Sequence, residues 1–235
     1  GTNMWRKTIM ENICLHRTLD RKEDIMKKID KKTLIITTLV NLIPIIVGLL
    51  IWDKLPDTIA THFGMDGTPN GWSSKAFTVF GIPLFLTFGH LLCIGITSQD
   101  PKYDNMSDKL FGLVLWMIPA ISILLMVTCY GYSLGWELNM SKYGCVVLGV
   151  MFMIIGNYLP KCKQNYTMGI KIPWTLDNED NWNKTHRLAG FLWVIGGAAM
   201  VVNAFIGSEW SILVISVVMV FVPMVYSYLY FKKNK

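Results

Sequence analysis

The chain has 235 residues, of which 52% are hydrophobic and 16% charged, and its mean hydropathy is +0.40. A soluble domain carries about 25% charged residues, so this composition excludes an ordinary soluble fold. The net charge of +6 would suit nucleic acid if the cations formed a patch on a soluble surface. Here they gather at the ends of apolar runs, the habit of a membrane protein, and no direct nucleic-acid partner is expected.

Residues 1–33 are polar and basic, with nine Lys/Arg, and read as a cytoplasmic tail; residues 1–25 read as an extension ahead of the start Met26-Lys-Lys-Ile-Asp-Lys-Lys. The apolar run that follows is too long for a signal-peptide core and lacks a small-residue cleavage site. Six apolar segments come next, at 34–52, 76–97, 110–136, 143–159, 188–206 and 210–231, and no charged residue falls inside them. A membrane-spanning helix needs about 20 apolar residues, and a soluble helical bundle would need charged faces of helical period. The expected fold is therefore all-α: a polytopic membrane protein of six transmembrane helices. Two halves are expected, 34–136 with a long loop at 53–75, and 137–235 with a long loop at 160–187.

With the N-terminus inside, the inner segments hold nineteen Lys/Arg and the outer loops only Lys54, Lys75 and Lys142. The positive-inside rule then places both termini and loop 160–187 in the cytoplasm and loop 53–75 outside. Pro44, Pro83 and Pro119 lie within the first three spans and can kink them. Gly196, Gly197, Ala198 and Ala199 make a small-residue face on the fifth that permits close helix approach. Asn41, His90 and Asn203 are the most polar intramembrane side chains and are expected to face the interior, for inter-helix hydrogen bonding or for function. Cys93, Cys129 and Cys145 fall in apolar runs and Cys14 and Cys162 in basic ones; five cysteines without a C-x-x-C pair make no disulfide framework. The position of the long loops hints at two three-helix repeats of inverted topology.

In the outer loop, Leu55-Pro56-Asp57 reads as a turn leading into a helix that would carry Thr58, Thr61 and His62. Gly64, Gly67, Pro69 and Gly71 follow as a turn-rich segment. Trp52 and Trp72 suit the aromatic belt. His62 with Asp57 and Asp66 is either a thin candidate for a divalent metal or, the preferred reading, a packed imidazole; no metal or other cofactor is expected. In the inner loop, Thr175 or Asp177 would cap a helix with Asp177, Glu179 and Asp180 in its first turn. Glu179, Trp182, Thr185/His186 and Ala189 then share one face, with Asp180, Asn183, Lys184 and Arg187 on the other and Asp180 placed to pair with Lys184. That pattern predicts a short amphipathic helix on the membrane surface before helix five. Its buried face is either interfacial packing, with His186 stacked on Trp182, or a ligand site. Lys161, Lys163, Lys171 and Arg187 either meet anionic lipid headgroups of the bilayer or simply set topology. Cys162 lies 24 residues before His186, and nothing marks it as an activated nucleophile.

The stretches G-N-Y-L-P-K, Q-N-Y-T-M-G-I-K-I-P-W-T-L and N-W-N-K-T-H-R-L-A-G resemble the signature of the SdpI-like bacteriocin immunity family. The segment L-P-D-T-I-A-T-H-F-G-M-D-G-T-P-N-G-W-S-S-K is similar to the domain of unknown function that commonly precedes it. Matching positions make Asn157, Pro160, Lys161, Asn165, Gly169, Pro173, Trp174, Thr175, Glu179, Trp182, His186 and Gly190 the candidate inner site, and Pro56, His62, Gly67, Trp72 and Lys75 the outer one. The chain departs from the family in its first 25 residues and in having Lys171 where Arg is common. The resemblance implies a six-span inner-membrane protein that protects the producing cell from a secreted, membrane-active peptide toxin, and in the family's named member also holds a small transcriptional repressor at the membrane. The leading expectation is immunity by binding, without catalysis. Two alternatives stay open on the polar set beside the membrane: an enzyme or transporter acting on lipid or peptide, and a scaffold that recruits a cytoplasmic regulator.

Overall fold

A computed structural model of the protein describes residues 31–64, 66–137 and 139–234; the expected basic tail therefore lies almost wholly outside the described residues. Among the described residues, six helices are long and apolar enough to cross a membrane. In chain order the elements are α1 (Lys31–Leu50), a 3-10 turn (Trp52–Lys54), β1 (Thr58–Phe63), β2 (Pro69–Ser74), a π-helical segment (Phe77–Gly81) running into α2 (Ile82–Ser98), and a second 3-10 turn (Tyr103–Asn105). Then come α3 (Asp108–Ser133), α4 (Met140–Tyr158), a 3-10 turn (Leu159–Lys161), the five-residue α5 (Pro173–Asp177), α6 (Glu179–Ile206) and α7 (Glu209–Lys233). The chain is an all-α polytopic membrane protein with one small hairpin.

Local chemistry sets the helix starts. Ser107, Asn139, Asn178 and Ser208 each stand in extended backbone ahead of α3, α4, α6 and α7, and each side-chain oxygen accepts a backbone N–H of the first turn, the pattern that satisfies otherwise orphaned donors. Gly207, at φ 75°, ends α6 in the left-handed conformation. Pro44 and Pro119 lie inside α1 and α3 as expected, and α7 carries a further one, Pro223. Pro83 also lies within the second span, Phe77–Ser98, where the π-helical segment passes into α2.

Two expectations are corrected. The segment after Asp57 is not a helix: Thr58–Phe63 pairs antiparallel with Pro69–Ser74, Thr58 opposite Ser74 and Ala60 opposite Trp72. The run Thr-Ile-Ala-Thr, rich in β-branched residues, suits a strand better than a helix, and burying Ile59 against Val79 and Met126 rewards it. Likewise, 179–189 is no separate surface helix. It is the first third of the 28-residue α6, and its cap is Asn178, because the Thr175 hydroxyl is engaged with the backbone of 170–172. A distinct short helix does precede the fifth span, but it is Pro173–Asp177.

Helix packing is concentrated within two sets, α1–α3 and α4 with α6 and α7, and is densest between α4 and α6. Four glycines make that approach possible. A Cβ on Gly149 would lie 2.5 Å from the Gly197 carbonyl oxygen, and one on Gly156 2.9 Å from that of Gly190, so the two backbones touch at places seven residues apart on each helix. Of the expected small-residue face, Gly197 meets α4, while Gly196 meets Met219 of α7. Asn41, His90 and Asn203 are all buried. Thr37 Oγ1 and His90 Nε2, 3.1 Å apart, join α1 to α2; Asn41 donates to the Thr37 carbonyl on its own helix, and Asn203 to that of Ser208 at the α6–α7 turn.

Candidate functional site

The segment from Leu159 to His186 folds back on itself into a polar latch. Its centre is Trp182, fully buried, whose indole N–H donates to the Cys162 carbonyl at 2.7 Å. His186, one helical turn on, stacks on that indole with ring centroids 4.0 Å apart and 20° between planes. Its Nδ1 lies 2.8 Å from the Trp182 carbonyl and its Nε2 2.8 Å from the Ile170 amide nitrogen. The amide can only donate, so Nε2 accepts, Nδ1 carries the proton, and the imidazole is neutral with both nitrogens used. His186 is thus stacked on Trp182, the arrangement that interfacial packing predicts.

Gly169 makes this contact possible. Its φ is 105°, a region that L side chains rarely adopt, and a Cβ there would collide with His186 Nε2 and the Trp182 ring. Asn165 holds the turn before it: its Oδ1 accepts the amides of Thr167 (3.0 Å) and Met168 (2.6 Å), and its Nδ2 donates to the Lys163 carbonyl at 2.8 Å. Thr175 closes the other side by donating to the Ile170 and Ile172 carbonyls and accepting the Ile172 amide at 3.1 Å.

The latch also grips the α2–α3 connection. The Asp100 carboxylate, buried at 2% exposure, accepts the Tyr166 amide and the Thr167 hydroxyl, both at 2.8 Å. Gln164 donates to the Thr175 and Leu176 carbonyls at 2.8 and 2.9 Å, while its side-chain oxygen accepts from Lys102 and its carbonyl from Asn105 at 2.7 Å. Leu110 of α3 packs on Cys162 and Trp182. Burial pushes the Cys162 thiol above its ordinary range, the Asn165 hydrogen bond opposing and the Asp100 charge adding, so the sulfur is poorly disposed to act as a nucleophile. Asn181 ties α6 to α7: it donates to the Ser227 carbonyl and its Oδ1 accepts from Ser227 and Thr185. The expected Asp180–Lys184 pair is present at 2.9 Å, and Tyr230 shares it.

The structure therefore brings Asn165, Gly169, Thr175, Trp182 and His186 together. Pro160 fills the space over Gly190, where a Cβ would lie 2.6 Å from its ring. Pro173 opens α5, and Trp174 packs edge-on against Tyr228 at 5.1 Å. Asn157, Lys161 and Glu179 stand apart, exposed; the Lys161 ammonium lies over the Tyr158 ring at 5.1 Å. Sequence reading missed Asp100, Lys102, Asn105, Gln164, Asn181 and Ser227. The signals were thin: an Asp-Pro turn at the end of a span, and an Asn181/Thr185 pair one turn apart on an otherwise apolar face.

At the opposite end sits the hairpin. Ile59 and Leu55 pack with Val79, Met126, Cys129 and Tyr130, and Phe63 meets Tyr132 edge-on at 5.1 Å. Lys75 pairs with Asp57 at 3.5 Å and lies over the Trp52 ring; Pro56 is exposed ahead of β1. His62 Nδ1 bonds Asn70 across the strands, and Asp66 accepts the Thr68 amide and hydroxyl, which holds its carboxyl below the usual range. Among the described residues no group of three His, Cys, Asp or Glu could hold a metal. Gly67 rests against Ser141 of α4, and Trp72, opposite Ala60 on β2, is 58% exposed.

Known proteins resemble this chain in two stretches and over most of its length. The profile of the SdpI/YfhL protein family matches residues 161–227, which hold the latch, α6 and most of α7. A domain of unknown function, DUF1648, matches residues 39–87, which hold most of α1, the hairpin and the start of α2. The chain is 26% identical over 208 residues to the immunity protein SdpI of Bacillus subtilis (strain 168), covering 85% of this chain and 96% of that protein. No solved structure is similar. These matches, which reach from the hairpin half through the latch, make the chain similar to the SdpI/YfhL protein family over residues 161–227 and to DUF1648 over residues 39–87.

Proposed function

We propose that this protein is an integral-membrane immunity protein that protects its cell from a membrane-active peptide toxin by binding. The similarity to an immunity protein over 85% of the chain carries that reading. Binding is favoured over catalysis because the polar groups of the latch are consumed internally. Both His186 nitrogens, the Thr175 hydroxyl and the Asn165 amide are held in fixed bonds, whereas a general base needs a free lone pair facing substrate. The latch then acts as the lock that fixes α6 against the α2–α3 connection. The toxin-facing surface is the hairpin end, where Trp72 offers an exposed aromatic of the kind that anchors interfaces. The cation count supports an orientation with the hairpin outside and the latch and both termini in the cytoplasm.

Expression in a toxin-sensitive bacterium, challenged with a panel of membrane-active peptide toxins, tests this. Survival against at least one toxin is expected, and killing equal to that of empty-vector cells across the panel would remove the idea. The exposed rim of the latch, Tyr166, Lys171, Glu179 and Asn183, is the surface on which a small cytoplasmic repressor would dock. Capture of no such protein on the immobilised full-length chain counts against that second role.

A further inference from the structure

The two helix sets meet mainly at their ends. At one end the latch ties Asp100, Lys102 and Asn105 to the 164–167 backbone and side chains. At the other the hairpin tip at Gly67 abuts Ser141, where a Cβ would lie 3.0 Å from the amide nitrogen. Between these ends α3 and α4 part around a cleft of about 540 Å³, lined at the hairpin by Thr61–Phe63 of β1 and Gly64 and walled by Leu124, Leu125, Val147, Leu148, Met151 and Met200. These walls are apolar, so water has few polar partners there. They also belong to segments that span the membrane.

We propose that this cleft binds one acyl chain of a phospholipid from the leaflet on the hairpin side, wedged between the two helix sets. Length supports it. The α4 wall runs from Met140 to Met151, a distance of about 16 Å at 1.5 Å per residue. One leaflet of a bilayer core about 30 Å thick has chains reaching about 15 Å. Volume argues against a peptide helix. A cylinder about 10 Å across displaces roughly 120 Å³ per residue, so the cleft would admit little more than one turn. Lys142, adjacent in sequence to the wall residues Ser141 and Tyr143, places a cation at the hairpin-side end of α4, with its ammonium 4.2 Å from the Phe205 ring. That charge suits a lipid phosphate. The proposal rests on the membrane placement alone and not on the immunity reading.

The test uses full-length protein in phosphatidylglycerol nanodiscs doped with a phosphatidylglycerol bearing a diazirine near the end of one chain. After illumination the adducts are mapped by mass spectrometry. Adducts are expected to concentrate on peptides containing Leu124–Leu125 and Val147–Met151, above those at the exposed Phe85 and Phe88 of α2. A Cβ on Gly144, a wall residue, meets nothing within 4 Å, so Gly144→Phe should fill the cleft without a clash. It should remove the cleft adducts several-fold while those on α2 stay constant; Gly144→Leu serves if the larger variant fails to fold. Gly89→Phe, which also enters open space but on α2, should change neither. Cleft adducts no more frequent than those on α2, or unchanged in a folded Gly144 variant, would overturn the proposal.

Discussion

Replacing His186 by Ala separates a structural latch from an active site. The change leaves the Ile170 amide without its acceptor, which costs about 1–3 kcal/mol when the donor is shielded from water. It also removes the stacked ring over Trp182, worth about 0.5–1.5 kcal/mol for such a pair. The Trp182 carbonyl loses its imidazole donor but is still placed to accept the backbone amide of residue 186 within α6, so it adds little. Together these give about 2–4 kcal/mol. For a protein of this size each kcal/mol moves the melting temperature by about 2–4 °C, so thermal unfolding in detergent, followed by tryptophan fluorescence, should fall by on the order of 10 °C. His186→Gln can present an oxygen where Nε2 now accepts, and should recover more than half of that loss. Protection against toxin, compared at equal membrane level, should persist in both variants at a temperature where they are folded. A variant with wild-type melting and no protection would show that the imidazole acts on something outside the protein, and the latch reading would be wrong.

Gly169→Ala should destabilise by a similar amount. It combines about 1–2 kcal/mol for a Cβ in the left-handed region with about 1–3 kcal/mol of overpacking against His186 and Trp182; a melting temperature unchanged within error would refute the geometry. Cys162 reports on latch opening. Its thiol is buried and pushed up by desolvation, so at neutral pH the thiolate fraction falls below that of a free cysteine, and maleimide labelling should be slow in the wild type and much faster in Trp182→Ala. Equal rates would mean that the indole does not seal the turn. Orientation is checked by cysteine scanning in whole cells: Ser73→Cys should react with an impermeant maleimide and Lys171→Cys should not, the reverse pattern placing the hairpin in the cytoplasm.

Most of the fold was legible because it rests on lengths and charges. Six uncharged runs of roughly span length leave only one architecture for the bulk of the chain, and the buried face of Trp182, Thr185, His186 and Ala189 follows from helical spacing. The errors arose where tertiary contacts overrule local signals. Asp57 resembles a helix start, yet Ile59 gains more by packing as a strand residue against Val79 and Met126. Thr175 resembles a cap, but its hydroxyl serves the turn behind it. Asp100 escaped notice, since nothing local says that a segment more than sixty residues away offers it an amide and a hydroxyl. The partners of Gly190 and Gly197 escaped for the same reason: single glycines on α4 become informative only when the facing helix is known.

The proposal that protection is exerted by the hairpin face, with the latch serving as its support, is tested most directly by survival curves. Toxin-challenged cells would carry wild type, Trp72→Ala or Glu179→Gln at matched membrane levels. Trp72→Ala should lose most of the protection while Glu179→Gln, altering an exposed residue of the opposite end, should protect as well as wild type. Full protection by Trp72→Ala together with loss in Glu179→Gln would contradict the account and return the working site to the latch end.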